Sequence, residues 1–219
     1  MELNSYIDHS YLKADATERD IIQLCEEALN NHFYSVCVNG CYVPIAHQIT
    51  KRSDVKVCAV VGFPFGAMST EAKVAEAKYA IQQGASEIDM VMNIGMLKSK
   101  NHVAVLRDIT EVKRAIGNTP LKVIIEISEL SKNEIVKACE ICLDGKADYV
   151  KTSTGFAEGG ATFTAVKIIK KTLKDRAKIK ASGGIRDAET AMKFIDLGVD
   201  RIGTSSSVSI CKSKLSIPA

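Results

Sequence analysis

The chain has 219 residues, which suits one compact domain over residues 1–219 with core enough to need neither disulfides nor metal. Apolar residues make up 46% and charged residues 25%, a globular balance that excludes disorder and collagen-like or coiled-coil repeats. The 29 basic and 26 acidic side chains leave a scattered excess of +3, without the basic patch of a nucleic-acid binder, and a small anionic partner fits it equally well.

At the N-terminus, Asp8 falls where a signal peptide would need a continuous apolar stretch, and no run approaches the ~18 apolar residues that span a bilayer. Cysteines at 25, 37, 41, 58, 139, 142 and 211 form an odd set without paired-motif spacing, as in a reducing compartment. The expectation is a soluble cytoplasmic protein with no membrane contact.

In chain order, the predicted strands are Tyr6–Ser10, Ser35–Asn39, Lys56–Gly62, Glu87–Asn93, Lys122–Ile127, Tyr149–Ser153, Lys178–Ser182 and Arg201–Thr204. Amphipathic helices are predicted between them at Thr17–Asn30, Thr70–Gln83, Val103–Ile116, Ser131–Leu143, Phe163–Leu173 and Asp187–Leu197. Ser131-Lys-Asn-Glu134 reads as a capping box. Gly84, Gly145 and Gly198 sit just past helical runs, where a left-handed residue is wanted. Eight strand–helix units at about 27 residues each predict a closed (β/α)8 TIM barrel, with an open doubly wound sheet as the alternative.

Alternation along the strands assigns their faces. In Glu87–Asn93, Ile88, Met90 and Met92 share one side and Glu87, Asp89, Val91 and Asn93 the other. Barrel strands turn their apolar set outward under the helices, so Asp89 points inward. The same test sends Lys151 and Lys180 inward, with Val150, Ile179 and Ala181 outward. Asp8, with Tyr6 and Ser10, shares the inward face of the first strand, and Cys37 that of the second.

Three charges inside one barrel need a reason, because unpaired buried ions cost several kcal/mol each. A structural ion-pair cluster is one reading. A catalytic constellation is the other, since Asp89, Lys151 and Lys180 lie late in their strands, where such barrels build active sites. A lysine at its ordinary pKa of roughly 10.4 is protonated and cannot attack a carbonyl. Desolvation or a second cation makes it nucleophilic, and Lys151 and Lys180 on neighbouring strands supply such a pair. Asp89 is expected to pair mainly with Lys180 and to move protons. The implied chemistry is covalent carbonyl catalysis through an iminium.

Ser182-Gly-Gly-Ile-Arg186 ends the seventh strand, and Gly203-Thr-Ser-Ser-Ser207 ends the eighth and opens a last helix. Backbone amides in these two loops bind phosphate in many such barrels. Cys139 and Cys142 have a redox spacing but lie mid-helix among apolar residues, which reads as core packing. Histidines 9, 32, 47 and 102 lack metal-ligand spacing, so no metal site is expected. Gly62-Phe-Pro-Phe-Gly66 reads as a stiff loop at the catalytic face, structural or in contact with substrate.

Tyr6-Ile-Asp-His9, Val36-Cys-Val-Asn39, Val61-Gly-Phe-Pro64, Glu87-Ile-Asp-Met-Val-Met-Asn93, Val150-Lys-Thr-Ser-Thr-Gly-Phe156, Lys180-Ala-Ser-Gly-Gly-Ile-Arg186 and Arg201-Ile-Gly-Thr-Ser-Ser206 together resemble the deoxyribose-phosphate aldolase family. The resemblance runs from residue 6 to about 210 through all eight units. It implies a class I aldolase that cleaves 2-deoxy-D-ribose 5-phosphate to D-glyceraldehyde 3-phosphate and acetaldehyde without metal or organic cofactor. It further implies that Lys151 forms the Schiff base, that Asp89 donates and accepts protons, and that Lys180 handles protons and keeps Lys151 reactive. Gly155, Gly183, Gly184, Ser205 and Ser206 match positions that hold the phosphate, and Asp8 and Cys37 match positions near the sugar end.

Partners are then a sugar phosphate and acetaldehyde, and a homodimer or higher homo-oligomer is compatible with this reading. The sequence departs from the family pattern at Ser10-Tyr11, at Ser207, and in a tail, 211–219, without tyrosine. Two rival classes remain: a barrel isomerase using Asp89 as base, and a sugar-phosphate binder without turnover.

Overall fold

A computed structural model gives the fold and describes residues 2–214; residues 215–219 of the tyrosine-free tail lie outside the described residues. Eight parallel strands close into a barrel in sequence order: β1 (Ile7–Tyr11), β2 (Ser35–Val38), β3 (Lys56–Val61), β4 (Glu87–Val91), β5 (Leu121–Ile124), β6 (Tyr149–Lys151), β7 (Lys178–Ser182) and β8 (Arg201–Thr204). The closing seam is β1 against β8, with Asp8 in register with Gly203. This is the (β/α)8 barrel expected, and the open sheet is set aside.

Helices α1 (Glu18–Asn30), α2 (Val43–Thr50), α3 (Thr70–Gln82), α4 (Ile94–Lys98), α5 (His102–Ile116), α6 (Lys132–Asp144), α7 (Phe163–Leu173), α8 (Ala188–Asp196) and α9 (Ser207–Lys214) follow the strands. The short α2 and α4 were not among the predicted helices. Asn93 explains why β4 stops at Val91, because its side chain accepts from Met96 N at 3.0 Å and opens α4. Pro44 sits in the first turn of α2, where its missing N–H costs nothing.

The core divides as the alternation requires. Ile7, Val36, Val57, Ile88, Met90, Val123, Val150, Ile179 and Ile202 face outward and join the helices in one continuous apolar layer. Cys139 and Cys142 belong to it, in keeping with core packing. Inside the barrel, the apolar residues form a much smaller cluster of Cys37, Cys58 and Val60, against which Leu12 and Phe63 pack. The interior also holds the buried charged side chains Asp8, Glu87, Asp89, Lys122, Lys151, Lys180 and Arg201.

The capping box closes on α6 as predicted: Ser131 Oγ accepts from Glu134 N at 3.3 Å, and Ser131 N donates to Glu134 Oε2 at 2.7 Å. Gly84 and Gly198 adopt φ of +108° and +89° after their helices. Gly145 differs. Its φ is −75°, and Lys146 takes the left-handed conformation at +61°. Glycine is wanted at 145 for space, since a Cβ there would stand 2.6 Å from Ile109 Cγ2 on α5.

Gly145→Ala is therefore expected to destabilise the fold by about 1–3 kcal/mol through overpacking of α6 on α5, with no backbone penalty. Urea denaturation measures this, and an unchanged midpoint would show that Ile109 can move aside.

Candidate active site

Asp89, Lys151 and Lys180 meet inside the barrel, each nearly or wholly without solvent contact. Asp89 Oδ2 takes Lys151 Nζ and Lys180 Nζ, both at 2.8 Å. Asp89 therefore bridges the two lysines equally, contrary to the expectation that it pairs mainly with Lys180. Lys180 instead finds its additional partner in Asp8, whose Oδ2 is 2.5 Å from Nζ. A Cβ on residue 203 would lie 3.0 Å from Lys180 Cε, so Gly203 clears the path this lysine follows across the barrel.

The other oxygen of Asp89 holds a third lysine. Lys122 Nζ on β5 is 2.9 Å from Asp89 Oδ1 and 2.7 Å from Glu87 Oε2. Neither Lys122 nor Glu87 was among the candidate site residues. Alternation gives the signal that finds Lys122: Leu121 and Val123 face outward, so Lys122 faces in with Ile124. Arg201 completes the interior, with Nε 3.5 Å from Asp8 Oδ1 and its guanidinium carbon 3.1 Å from the centre of the Tyr34 ring. Four cations thus face three carboxylates.

Burial alone would raise the Asp89 carboxyl, but the charges of Lys122, Lys151 and Lys180 outweigh it and hold Asp89 well below the usual carboxylate range. For Lys180, burial pulls the ammonium down, and Asp8 and Asp89 outweigh it and hold it well above the ordinary lysine value. Lys122 is likewise raised, by Asp89, Cys58 and Glu87 against burial. Lys151 has a single carboxylate oxygen among the described residues, and it shares that oxygen with Lys180.

A cleft of about 410 Å³ opens at the C-terminal ends of the strands. Lys151, Gly155, Gly183, Gly184, Ser205 and Ser206 line it, as do the exposed cations Lys13 and Arg186. Lys122 and Lys180 do not. Asp8 and Cys37 lie below its floor, fully buried. Gly183 and Gly184 turn at φ of +89° and +77°. Two matching turns flank the cleft: Thr154 Oγ1 accepts from Phe156 N, and Thr204 Oγ1 accepts from Ser206 N, both at 3.0 Å. The Gly62–Gly66 loop stays off the cleft wall, but the Phe63 ring meets that of Phe156 edge-on at 5.2 Å.

A second cavity of about 670 Å³ lies at the opposite, N-terminal end, walled by Tyr34, Glu87, Tyr149 and Lys178. It is the larger of the two, yet Lys151 does not reach it. In such barrels that end carries stability and the other carries chemistry.

Among the described residues, Cys37, Cys58 and Asp89 have ligand atoms within 4.8 Å of one another, a spacing a metal could use. The histidine spacing could not reveal this group. A dication there would stand against Lys122, whose Nζ is 3.4 Å from Cys58 Sγ, and would compete with three ammonium groups for Asp89. Cys37 is lowered to about 7 by its hydrogen bond with Cys58, aided by Lys180 and Lys151, whereas burial pushes Cys58 well up.

Comparison with known proteins points one way. A family model described as DeoC/LacD family aldolase matches residues 3–211. The deoxyribose-phosphate aldolase of Finegoldia magna is 53% identical over 210 residues, covering 96% of this chain and 99% of that protein. The deoxyribose-phosphate aldolase of Mycoplasmopsis pulmonis is 50% identical over 214 residues, covering 98% and 97%. Among solved structures, an aldolase called QR15 superposes with a TM-score of 0.95 at 43% identity, covering 99% of this chain and 97% of its own. A tetrameric deoxyribose phosphate aldolase from Aeropyrum pernix gives 0.89 at 32% identity, covering 98% and 91%.

Lys122→Met removes one partner from two buried carboxylates, and the expected loss of stability is about 3–5 kcal/mol. Chemical denaturation checks this. A loss below about 1 kcal/mol, the scale of a surface ion pair, would mean that Glu87 and Asp89 need no such counter-ion.

Proposed function

The chain belongs to the DeoC/LacD aldolase family, and from that premise we propose that it cleaves 2-deoxy-D-ribose 5-phosphate reversibly to D-glyceraldehyde 3-phosphate and acetaldehyde, with Lys151 as the Schiff-base residue. One observation carries the choice of lysine. Of the three lysines inside the barrel, Lys151 is the one on the cleft wall, and it has the smallest share of carboxylate.

The Lys151 amine adds to C1 of the open-chain sugar, and loss of water gives an iminium. Removal of the proton from the C3 hydroxyl breaks the C2–C3 bond, and the electron pair moves into an enamine on Lys151. Glyceraldehyde 3-phosphate leaves with C3 as its aldehyde carbon. Protonation of the enamine at C2 and addition of water release acetaldehyde and restore the amine. Asp89 and Lys180 exchange these protons, being hydrogen-bonded to each other and, through Asp89, to Lys151. Asp8 keeps Lys180 within reach of Asp89, and Cys37 lies beside Asp89 beneath the sugar end.

The phosphate sits against backbone N–H groups at Gly155, Gly183, Gly184 and Ser205 and beside Ser206, whose own N–H is held by Thr204 Oγ1, where two glycine turns and the start of α9 converge. Neither metal nor organic cofactor enters these steps. One barrel domain over 1–219, a homo-oligomeric assembly and a reducing cytoplasm complete the proposal. No helix among the described residues is long and apolar enough to cross a membrane.

Borohydride reduction in the presence of acetaldehyde is expected to leave an ethyl group on the peptide that contains Lys151, read by mass spectrometry. An adduct on Lys180 would overturn the choice of lysine. No adduct at all would favour a non-covalent isomerase or a binder without turnover.

A further inference from the structure

Just past β5, the pairing with β6 slips by one residue. Ile125 N donates to Lys151 O at 3.0 Å, and Ile127 N donates to Thr152 O at 2.9 Å. Two steps along one chain are answered by a single step along the other, where a regular parallel ladder advances both equally. Glu126 is the extra residue, a bulge at φ +49° and ψ +72°. A non-glycine side chain is strained in that region, and such strain persists only where surrounding contacts hold it.

The bulge re-aims a buried carboxylate. Glu126 is 6% exposed, and its Oε2 accepts from Thr154 N at 3.1 Å and from the Thr154 hydroxyl. The Thr154 oxygen in turn accepts from Phe156 N, so Gly155, at φ +86°, is fixed between two tied residues. On the opposite side, Thr152 Oγ1 donates to Ser182 O at 2.9 Å and accepts from Ser182 N at 3.0 Å, which binds the same segment to β7. The stretch that carries Lys151 is thus fastened from both flanks, and Glu126 supplies the β5 side.

We infer that Glu126 is a positioning residue for substrate binding: by holding the Thr154–Phe156 turn, it shapes the cleft wall that grips the phosphorylated end of the sugar. This rests on the reading that the cleft binds a sugar phosphate. It acts through acceptor geometry, so glutamine can replace it and alanine cannot.

The test compares Glu126→Ala, Glu126→Gln, Thr154→Val and the Ala/Val double variant. Three readouts are used: steady-state cleavage of deoxyribose 5-phosphate, affinity for inorganic phosphate, and hydrogen exchange at the Phe156 amide. Glu126→Ala should raise KM at least about tenfold, the scale of one hydrogen bond to a charged group, with a smaller change in kcat. It should also weaken phosphate binding and speed Phe156 exchange. Glu126→Gln should restore most of all three. Thr154→Val should match Glu126→Ala, and the double variant should be no worse than either, because both break the same link.

If Glu126→Ala does not fold, Glu126→Gln and Thr154→Val still decide. A Gln variant with a strongly raised KM, or a Val variant with unchanged KM and Phe156 exchange, would overturn the inference. A wild-type protein that binds phosphate but never cleaves the sugar phosphate would refute the aldolase reading, while the variant effects on phosphate binding and exchange would still decide the role of Glu126.

Discussion

One carboxylate organises the interior of this barrel. Asp89 has no solvent contact, and an isolated buried carboxylate would protonate rather than stay charged. It stays ionised because three ammonium groups converge on its two oxygens at 2.8–2.9 Å. Those lysines come from β5, β6 and β7, so Asp89 ties β4 to its neighbour β5 and to the two strands beyond it. The strand neighbours of Lys180 had to be cut to fit: residue 203 is glycine because a side chain there would occupy the lysine's path.

The three lysines divide the labour by depth. Lys122 is bound toward the N-terminal end by Glu87, and Lys180 is bound by Asp8. Each has a carboxylate of its own in addition to Asp89. Lys151 has none of its own and stands at the mouth. The same ion network therefore ties the interior together at one end and leaves the lysine with the smallest share of carboxylate on the cleft wall at the other. The barrel's surplus of one cation over its carboxylates also suits an anionic substrate.

Much of this was legible from strand alternation alone. A period of two fixes which side chains face inward, and the apolar residues of β4, β6 and β7 mark the outer face clearly enough to place Asp89, Lys151 and Lys180 inside. Lys122 obeys the same rule, but its inward companion Ile124 is apolar, so β5 reads as an apolar run with one charge at its edge. The sharing of Asp89 was not legible, because it depends on how far flexible lysine side chains reach across the barrel. Glu126 lay further out of reach. Its bulge breaks the alternation, and nothing in Ile-Ile-Glu-Ile announces a left-handed residue in the way glycine or asparagine would. Gly145 shows the reverse case, a glycine after a helix that serves packing against Ile109 and not a left-handed turn.

The dependence on Asp89 can be read at the carboxyl itself. Its folded pKa lies below its unfolded one, so its contribution to stability is present above the unfolded value of about 3.9 and is lost as pH falls through the folded value. The direct measurement is the 13Cγ resonance of Asp89, assigned by labelling and followed from neutral pH to acid unfolding. The expected shift is that of an ionised carboxylate until the protein unfolds. Protonation of Asp89 near pH 4 in a protein that is still folded would contradict it, and the three lysines would then not be what holds this charge inside the barrel.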